Sequence, residues 1–216
     1  MRSHFDQQLE LLNQELMEMG ALCEEAIALA AKAMTENNTA LTQRVKTLSV
    51  ALDQKESDVE ARCLRLLLQQ QPVAKDLRQI SAALKMITDM ERIGDQAEDI
   101  AEIVSYLNGQ HVDEGELIRE MAKETIKMVT DSVDAFVNRD VNLAEAVLVY
   151  DDIVDDYFDR AKGSLISMIA HNPDQGECAL DLLMICKYFE RIGDHATNIA
   201  EWVIFSITGV HKGELE

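Results

Sequence analysis

The sequence is poor in everything that interrupts a helix. It has two prolines and nine glycines in 216 residues, and Ala, Leu, Glu and Met fill the space between them. That scarcity argues against a strand-rich fold and for an all-α protein. Basic residues are also few: 20 Lys and Arg face 40 Asp and Glu, leaving a net charge of −20. A polyanion is repelled by such a chain unless a cation stands between them, which counts against nucleic acid and against capture of free phosphate by basic side chains. The four cysteines, Cys23, Cys63, Cys178 and Cys186, form no C-x-x-C pair. They suit reduced core positions better than disulfides or a thiolate metal site. No apolar run is long enough to span a bilayer and no charged-then-apolar leader opens the chain, so a soluble, cytoplasmic protein is expected. Enzyme signatures are missing as well, with no P-loop, H-E-x-x-H or G-x-S-x-G.

What the chain does contain is a repeat. Glu91-Arg92-Ile93-Gly94-Asp95-Gln96-Ala97-Glu98-Asp99-Ile100-Ala101-Glu102 returns as Glu190-Arg191-Ile192-Gly193-Asp194-His195-Ala196-Thr197-Asn198-Ile199-Ala200-Glu201 at a constant offset (190 − 91 = 99), identical at nine of twelve positions. One long fixed period marks a duplicated structural unit.

The apolar spacing predicts six helices. The first runs from about Phe5 to Glu36, and Asn37-Asn38-Thr39 breaks it and caps a second from Ala40 to about Gln70. Pro72 opens a third, which ends near Asn108-Gly109. After a linker at 109–115, a fourth reaches Asn138 and Asn138-Arg139-Asp140 breaks it. The fifth covers Val141 to about Ala170, and Asn172-Pro173-Asp174 opens the sixth. The expected architecture is two tandem three-helix bundles of long antiparallel helices, residues 1–109 and 110–216, related by internal duplication.

Acids continue the core-facing stripe of each motif helix. The series Leu77, Ile80, Leu84 and Ile87 leads to Glu91 and Gly94, and Ala179, Leu183 and Cys186 lead to Glu190 and Gly193. Glu91, Asp95 and Asp99 stand at i, i+4 and i+8, as do Glu190, Asp194 and Asn198. Like charges so spaced cost about 0.2–0.5 kcal/mol per pair, and burying an unpaired carboxylate costs far more. The middle helix of each half adds Asp53, Glu56, Asp58 and Glu60, or Asp151, Asp152, Asp155, Asp156 and Asp159. If the middle helix lies antiparallel to the motif helix, its acids face those of the motif, with Gly94 and Gly193 letting the backbones approach. All-oxygen sites of this kind suit Mg, Ca, Mn or iron, and two facing acidic rows have room for a multinuclear cluster. His195 has only Gln96 as counterpart and reads as a surface or auxiliary residue. Arg92 and Arg191 read as pairing with acids of another helix or as docking a partner.

These residues resemble the PhoU family, the accessory regulators of bacterial phosphate-specific transport. The resemblance rests on both copies of E-R-I-G-D-x-A-x-(N/D)-I-A-E, on Pro72-Val73-Ala74-Lys75-Asp76-Leu77-Arg78 and on Asp-Asp-Ile-Val-Asp at 151–155. It implies two similar three-helix bundles carrying divalent or trivalent metal ions, iron, zinc, manganese or magnesium, in multinuclear clusters. The implied ligands are Asp53, Glu56, Glu91, Asp95 and Asp99 in the first half and Asp151, Asp152, Asp155, Glu190, Asp194 and Asn198 in the second. Two departures stand out. Asp99 occupies a position that is usually Asn, and Ser49 and Val50 fall where paired acids are expected. The middle helices align at an offset of either 99 or 102.

The function implied is a non-enzymatic adapter between the ATPase subunit of a phosphate ABC transporter and a sensor histidine kinase, damping the phosphate-starvation response. Membrane association comes only through these partners, and a homodimer is left open. Two rival readings are a carboxylate-bridged metal-dependent enzyme and a metal-free structural bundle. Against the enzyme, Gly94 and Gly193 stand where a ferritin-like Glu-x-x-His motif needs His.

Overall fold

The computed structural model describes residues 2–36, 38–69, 72–107 and 115–210. They form α1 (Arg2–Glu36), α2 (Thr39–Gln69), α3 (Ala74–Tyr106), α4 (Gly115–Asn138), α5 (Val141–His171) and α6 (Gly176–Thr208), with a 3-10 turn at Pro173–Gln175. There is no strand among the described residues, and no helix is long and apolar enough to cross a membrane.

The breaks are made by short polar side chains, as the sequence suggests. Asn38 Oδ1 accepts from the Ala40 N–H at 3.0 Å. Asp140 caps α5 by accepting from the Leu143 N–H at 3.1 Å, and Arg139 before it turns the chain with a left-handed φ of 55°. Asn172 Oδ1 accepts from the Asp174 N–H at 3.3 Å. The prolines act differently from expectation. Pro173 opens the 3-10 turn, so α6 begins three residues later. The first turn of α3 likewise lies beyond Pro72, behind an extended Val73 that supplies no side-chain cap. The third helix ends at Tyr106, earlier than expected, with a right-handed Leu107 as its C-cap; Asn108-Gly109, the boundary at 109/110 and the linker before Gly115 lie outside the described residues.

Helix neighbours define the layers. α1, α3, α6 and α4 form a central quartet, touching in that order around a ring, while α2 covers α1 and α3 on one side and α5 covers α4 and α6 on the other. The two halves therefore meet along α1/α4 and α3/α6. One continuous cluster of buried side chains passes through both, with Leu12, Leu16, Met86, Met90, Ile93 and Phe189 among its largest fully buried members. Polar ties reinforce it: Arg62 forks onto Glu15 at 2.5 and 2.6 Å, and Arg139 donates to Gln79, which donates to Asn13, each at 3.3 Å. All four cysteines are buried and none is in a disulfide. Burial pushes the Cys63 thiol up to about 12 and raises Cys23 further still, so neither supplies a thiolate near neutral pH.

Candidate metal centre

α3 buries a broad face because α1, α2 and α6 all pack on it. Ile80, Ala83, Ile87, Met90, Ile93, Gly94 and Ala97 fill that face, whereas Leu77 is exposed and Leu84 only half-buried. The acids of the motif consequently stand on the edge of the core, in the groove between α3 and α2. Gly94 makes the groove narrow: a Cβ there would lie 2.6 Å from Leu52 Cδ1, closer than carbon atoms approach without displacement.

In this first groove Asp53 of α2 meets Glu91 and Asp95 of α3, and one carboxylate oxygen from each lies within 4.8 Å of the others. Burial and then the adjacent Asp95 push the Glu91 carboxyl above its usual range, with Glu56 and Asp53 adding to the rise against the pull of Arg92. Arg92 pairs with the acids of its own helix, Glu91 at 3.5 Å and Asp95 at 3.1 Å, rather than reaching another. Glu56 stands beside the triad, accepting from the Thr88 hydroxyl at 3.4 Å. Three hard oxygen donors converging on one point fit a hard or borderline cation.

The second groove, between α5 and α6, is richer in acids. Asp151 lies against the motif glycine, its Oδ1 3.3 Å from where a Gly193 Cβ would be. Burial first, then Asp155, Asp194, Glu190 and Asp152, push its carboxyl up to about 6. Asp155 and Asp194 are raised as well, each by burial and then by Glu190. Lys187 already forms an ion pair with Glu190. Among the described residues no three of these oxygens converge within 4.8 Å.

Burial decides the register of the middle helices. Ala144, Val147, Val154, Ala161 and Leu165 of α5 are buried, and so are Thr42, Val45, Leu52, Val59 and Cys63 of α2, at a constant offset (144 − 42 = 102, 165 − 63 = 102). On that register Asp53 is the equivalent of Asp155. Buried Ser49 and exposed Val50 replace Asp151 and Asp152, so the first groove lacks the pair of acids that the second has.

The third residue of each row points elsewhere. At 100° per residue each i+4 step drifts by about 40°, so a residue at i+8 lies about 80° from the first. Asn198 is thereby carried to the contact between α6 and α3, where its Nδ2 donates to Asp89 Oδ1 at 3.1 Å. His195 joins it, with Nδ1 2.9 Å from the same oxygen. Asp99 meets the Tyr188 hydroxyl, which donates to it. These are equivalent pairs across the duplication, since residues 89 and 188, and 99 and 198, are each 99 apart. Asp99 and Asn198 thus join the two halves along this seam. Sequence reasoning missed Asp89 and Tyr188; their signal is the seven-residue spacing of Asp89, Gln96 and Ile103 and of Tyr188, His195 and Trp202, the period of a helix-pair seam. Arg191 lies over the Tyr188 ring at 5.8 Å.

The sequence matches the description of the PhoU domain twice, over residues 16–104 and 118–203. A phosphate-specific transport system accessory protein PhoU homolog of Clostridium acetobutylicum is 35% identical over 96% of this chain and 96% of its own length. The homolog of Pseudomonas aeruginosa is 34% identical over 95% of this chain and 86% of its own. The crystal structure of PhoU from Pseudomonas aeruginosa superposes with a TM-score of 0.90 at 33% identity, covering 95% of this chain and 100% of that one. The phosphate transport system regulatory protein PhoU from Streptococcus pneumoniae gives 0.87 at 26% identity, covering 96% and 98%. Six helices, a duplicated acidic motif and these matches lead to one conclusion: the chain belongs to the PhoU family.

Proposed function

We propose that this protein regulates phosphate transport as a non-enzymatic adapter. It works between the ATPase subunit of a phosphate ABC transporter and a sensor histidine kinase, restraining uptake and the starvation response when phosphate is plentiful. The observation that carries this reading is the PhoU-domain match in both halves, to relatives named as accessory proteins of phosphate-specific transport.

The acidic grooves supply the rest. Asp53, Glu91 and Asp95 would hold a cation in the first, and Asp151, Asp152, Asp155, Glu190 and Asp194 one or more in the second. Iron, zinc, manganese and magnesium all suit such sites to different degrees, the harder ions best. A bound cation offsets the burial and the repulsion that raise Glu91 and Asp151 and fixes α2 against α3 and α5 against α6. The faces shown to partners then become rigid. One observation favours a metal-free structural bundle: Arg92 and Lys187 already neutralise part of each groove.

The test uses a strain lacking the gene, with a phosphate-starvation reporter. On this reading the reporter is active at high phosphate in that strain and silenced by the wild-type gene, and the protein co-purifies with the transporter ATPase. An unaltered reporter together with no co-purification at either phosphate level contradicts it.

A further inference from the structure

The two grooves draw their positive charge from different positions. In the second, Lys187 of α6 forms a close ion pair with Glu190, the lysine 39% exposed and the carboxylate 16%. The same ammonium stands 5.5 Å from the centroid of the Phe158 ring on α5. Its charge also reaches Asp155 and Asp194, where it works against the burial and the neighbouring Glu190 that raise both carboxyls. One ammonium on a side chain of α6 therefore serves acids of both groove walls, Asp155 on α5 and Glu190 and Asp194 on α6.

The first groove is built otherwise. The equivalent of Lys187 is Thr88 (187 − 99 = 88), and the equivalent of Phe158 is Glu56 (158 − 102 = 56). Thr88 donates its hydroxyl to Glu56 at 3.4 Å, so a neutral hydrogen-bond donor and an acid stand where the second half has a cation and a ring. Arg92 supplies the positive charge there, on Glu91 and Asp95. Its own equivalent, Arg191, lies over the Tyr188 ring instead. A lysine carries its charge on a flexible four-carbon stem and is readily withdrawn, and an aromatic face beside it attracts the ammonium once an ion pair is broken.

We propose that Lys187 is a tethered cation that occupies the second groove and must leave Glu190 before a metal ion enters, the Phe158 face retaining its ammonium. Lys187 thereby neutralises the groove when metal is absent and sets the affinity of the groove for metal. The inference rests on the reading that the grooves bind cations.

Manganese binding to the full-length protein, followed by loss of the free-ion electron paramagnetic resonance signal, tests it. A Glu91→Ala/Asp95→Ala background disables the first groove, so that the second is read alone. In that background Lys187→Met is expected to tighten manganese binding about tenfold. Lys162→Met makes the same change of net charge on α5, where Lys162 pairs with Asp159 at 3.8 Å, and is expected to alter binding less than about twofold because exposed, distant charges are screened. In chelator Lys187→Met should melt below its parent, since the groove acids lose their counter-charge. A lysine that only supports the fold gives that loss of stability without the gain in affinity. The reciprocal change, Thr88→Lys in a Glu190→Ala/Asp194→Ala background, is expected to weaken manganese binding in the first groove about tenfold, and it tests the same competition independently of Lys187 variants. Unchanged manganese affinity in Lys187→Met or in Thr88→Lys, or an equal gain from Lys162→Met, overturns the inference and leaves the cation-binding reading standing. No manganese binding in either background overturns both.

Discussion

Replacing Asp151 by Asn should stabilise the metal-free protein at neutral pH, although it removes a charged residue from the second acidic groove. Asp151 is half-buried against the Gly193 backbone and surrounded by four other acids, and its carboxyl titrates near 6 in the folded chain against an ordinary 3.8. At about 1.4 kcal/mol per pH unit the full shift is worth roughly 3 kcal/mol. The group is about half open to water, and screening brings that to about 1 kcal/mol. The folded state binds this proton more tightly than the unfolded state does. The penalty is therefore absent below about pH 4 and fully present above about pH 6, and stability falls as pH rises through that window. In chelator at pH 7 the Asp151→Asn protein is expected to melt about 2–4 °C above wild type, and the gap should narrow at pH 5. Adding manganese should reverse the order, because ligand binding to the native state favours the chain with the full acid set. A variant that melts at or below wild type in chelator at pH 7 would refute the reasoning.

Other substitutions probe other parts of the account. Gly94→Ala drives a methyl group into fully buried Leu52, at about 1–3 kcal/mol of overpacking against a gain of about 1 in helix propensity. It should lower the melting temperature more than Gly193→Ala, whose nearest contact is 3.3 Å; equal melting temperatures would contradict the narrow first groove. Asp89→Ala leaves His195 and Asn198 without their shared acceptor, and thermal unfolding should show a loss of about 1 kcal/mol. Cys23 and Cys63, buried with raised thiol values, should resist iodoacetamide in the native protein and react only in denaturant, as peptide mass mapping would show.

Much of this molecule was legible in its sequence because the controlling signals are local. The constant 99-residue offset, the polar breaks at Asn138-Arg139-Asp140 and Asn172-Pro173-Asp174, and the unbroken apolar periodicity depend on neighbours in the chain, and they yielded six helices in two related halves. The α3/α6 seam was not legible in the same way. Asp89, Tyr188 and His195 look like solvated polar positions until the partner helix is placed beside them. An E-x-x-x-D-x-x-x-N column rotates by about 80° over its length, which carries Asn198 to Asp89 on the neighbouring helix. Asp99 and Asn198 consequently serve the seam. The ambiguity between offsets of 99 and 102 could be removed only by burial, which places Ser49 where Asp151 stands.

The claim on which most depends is that the two acidic grooves hold cations. Anomalous diffraction from crystals grown with manganese tests it most directly. The expected result is a peak between α2 and α3 bounded by Asp53, Glu91 and Asp95, and at least one between α5 and α6 near Asp151, Asp155, Glu190 and Asp194, each lost when its motif Glu and Asp are changed to Ala. No anomalous peak in either groove, with Arg92 and Lys187 alone neutralising the acids, would contradict it.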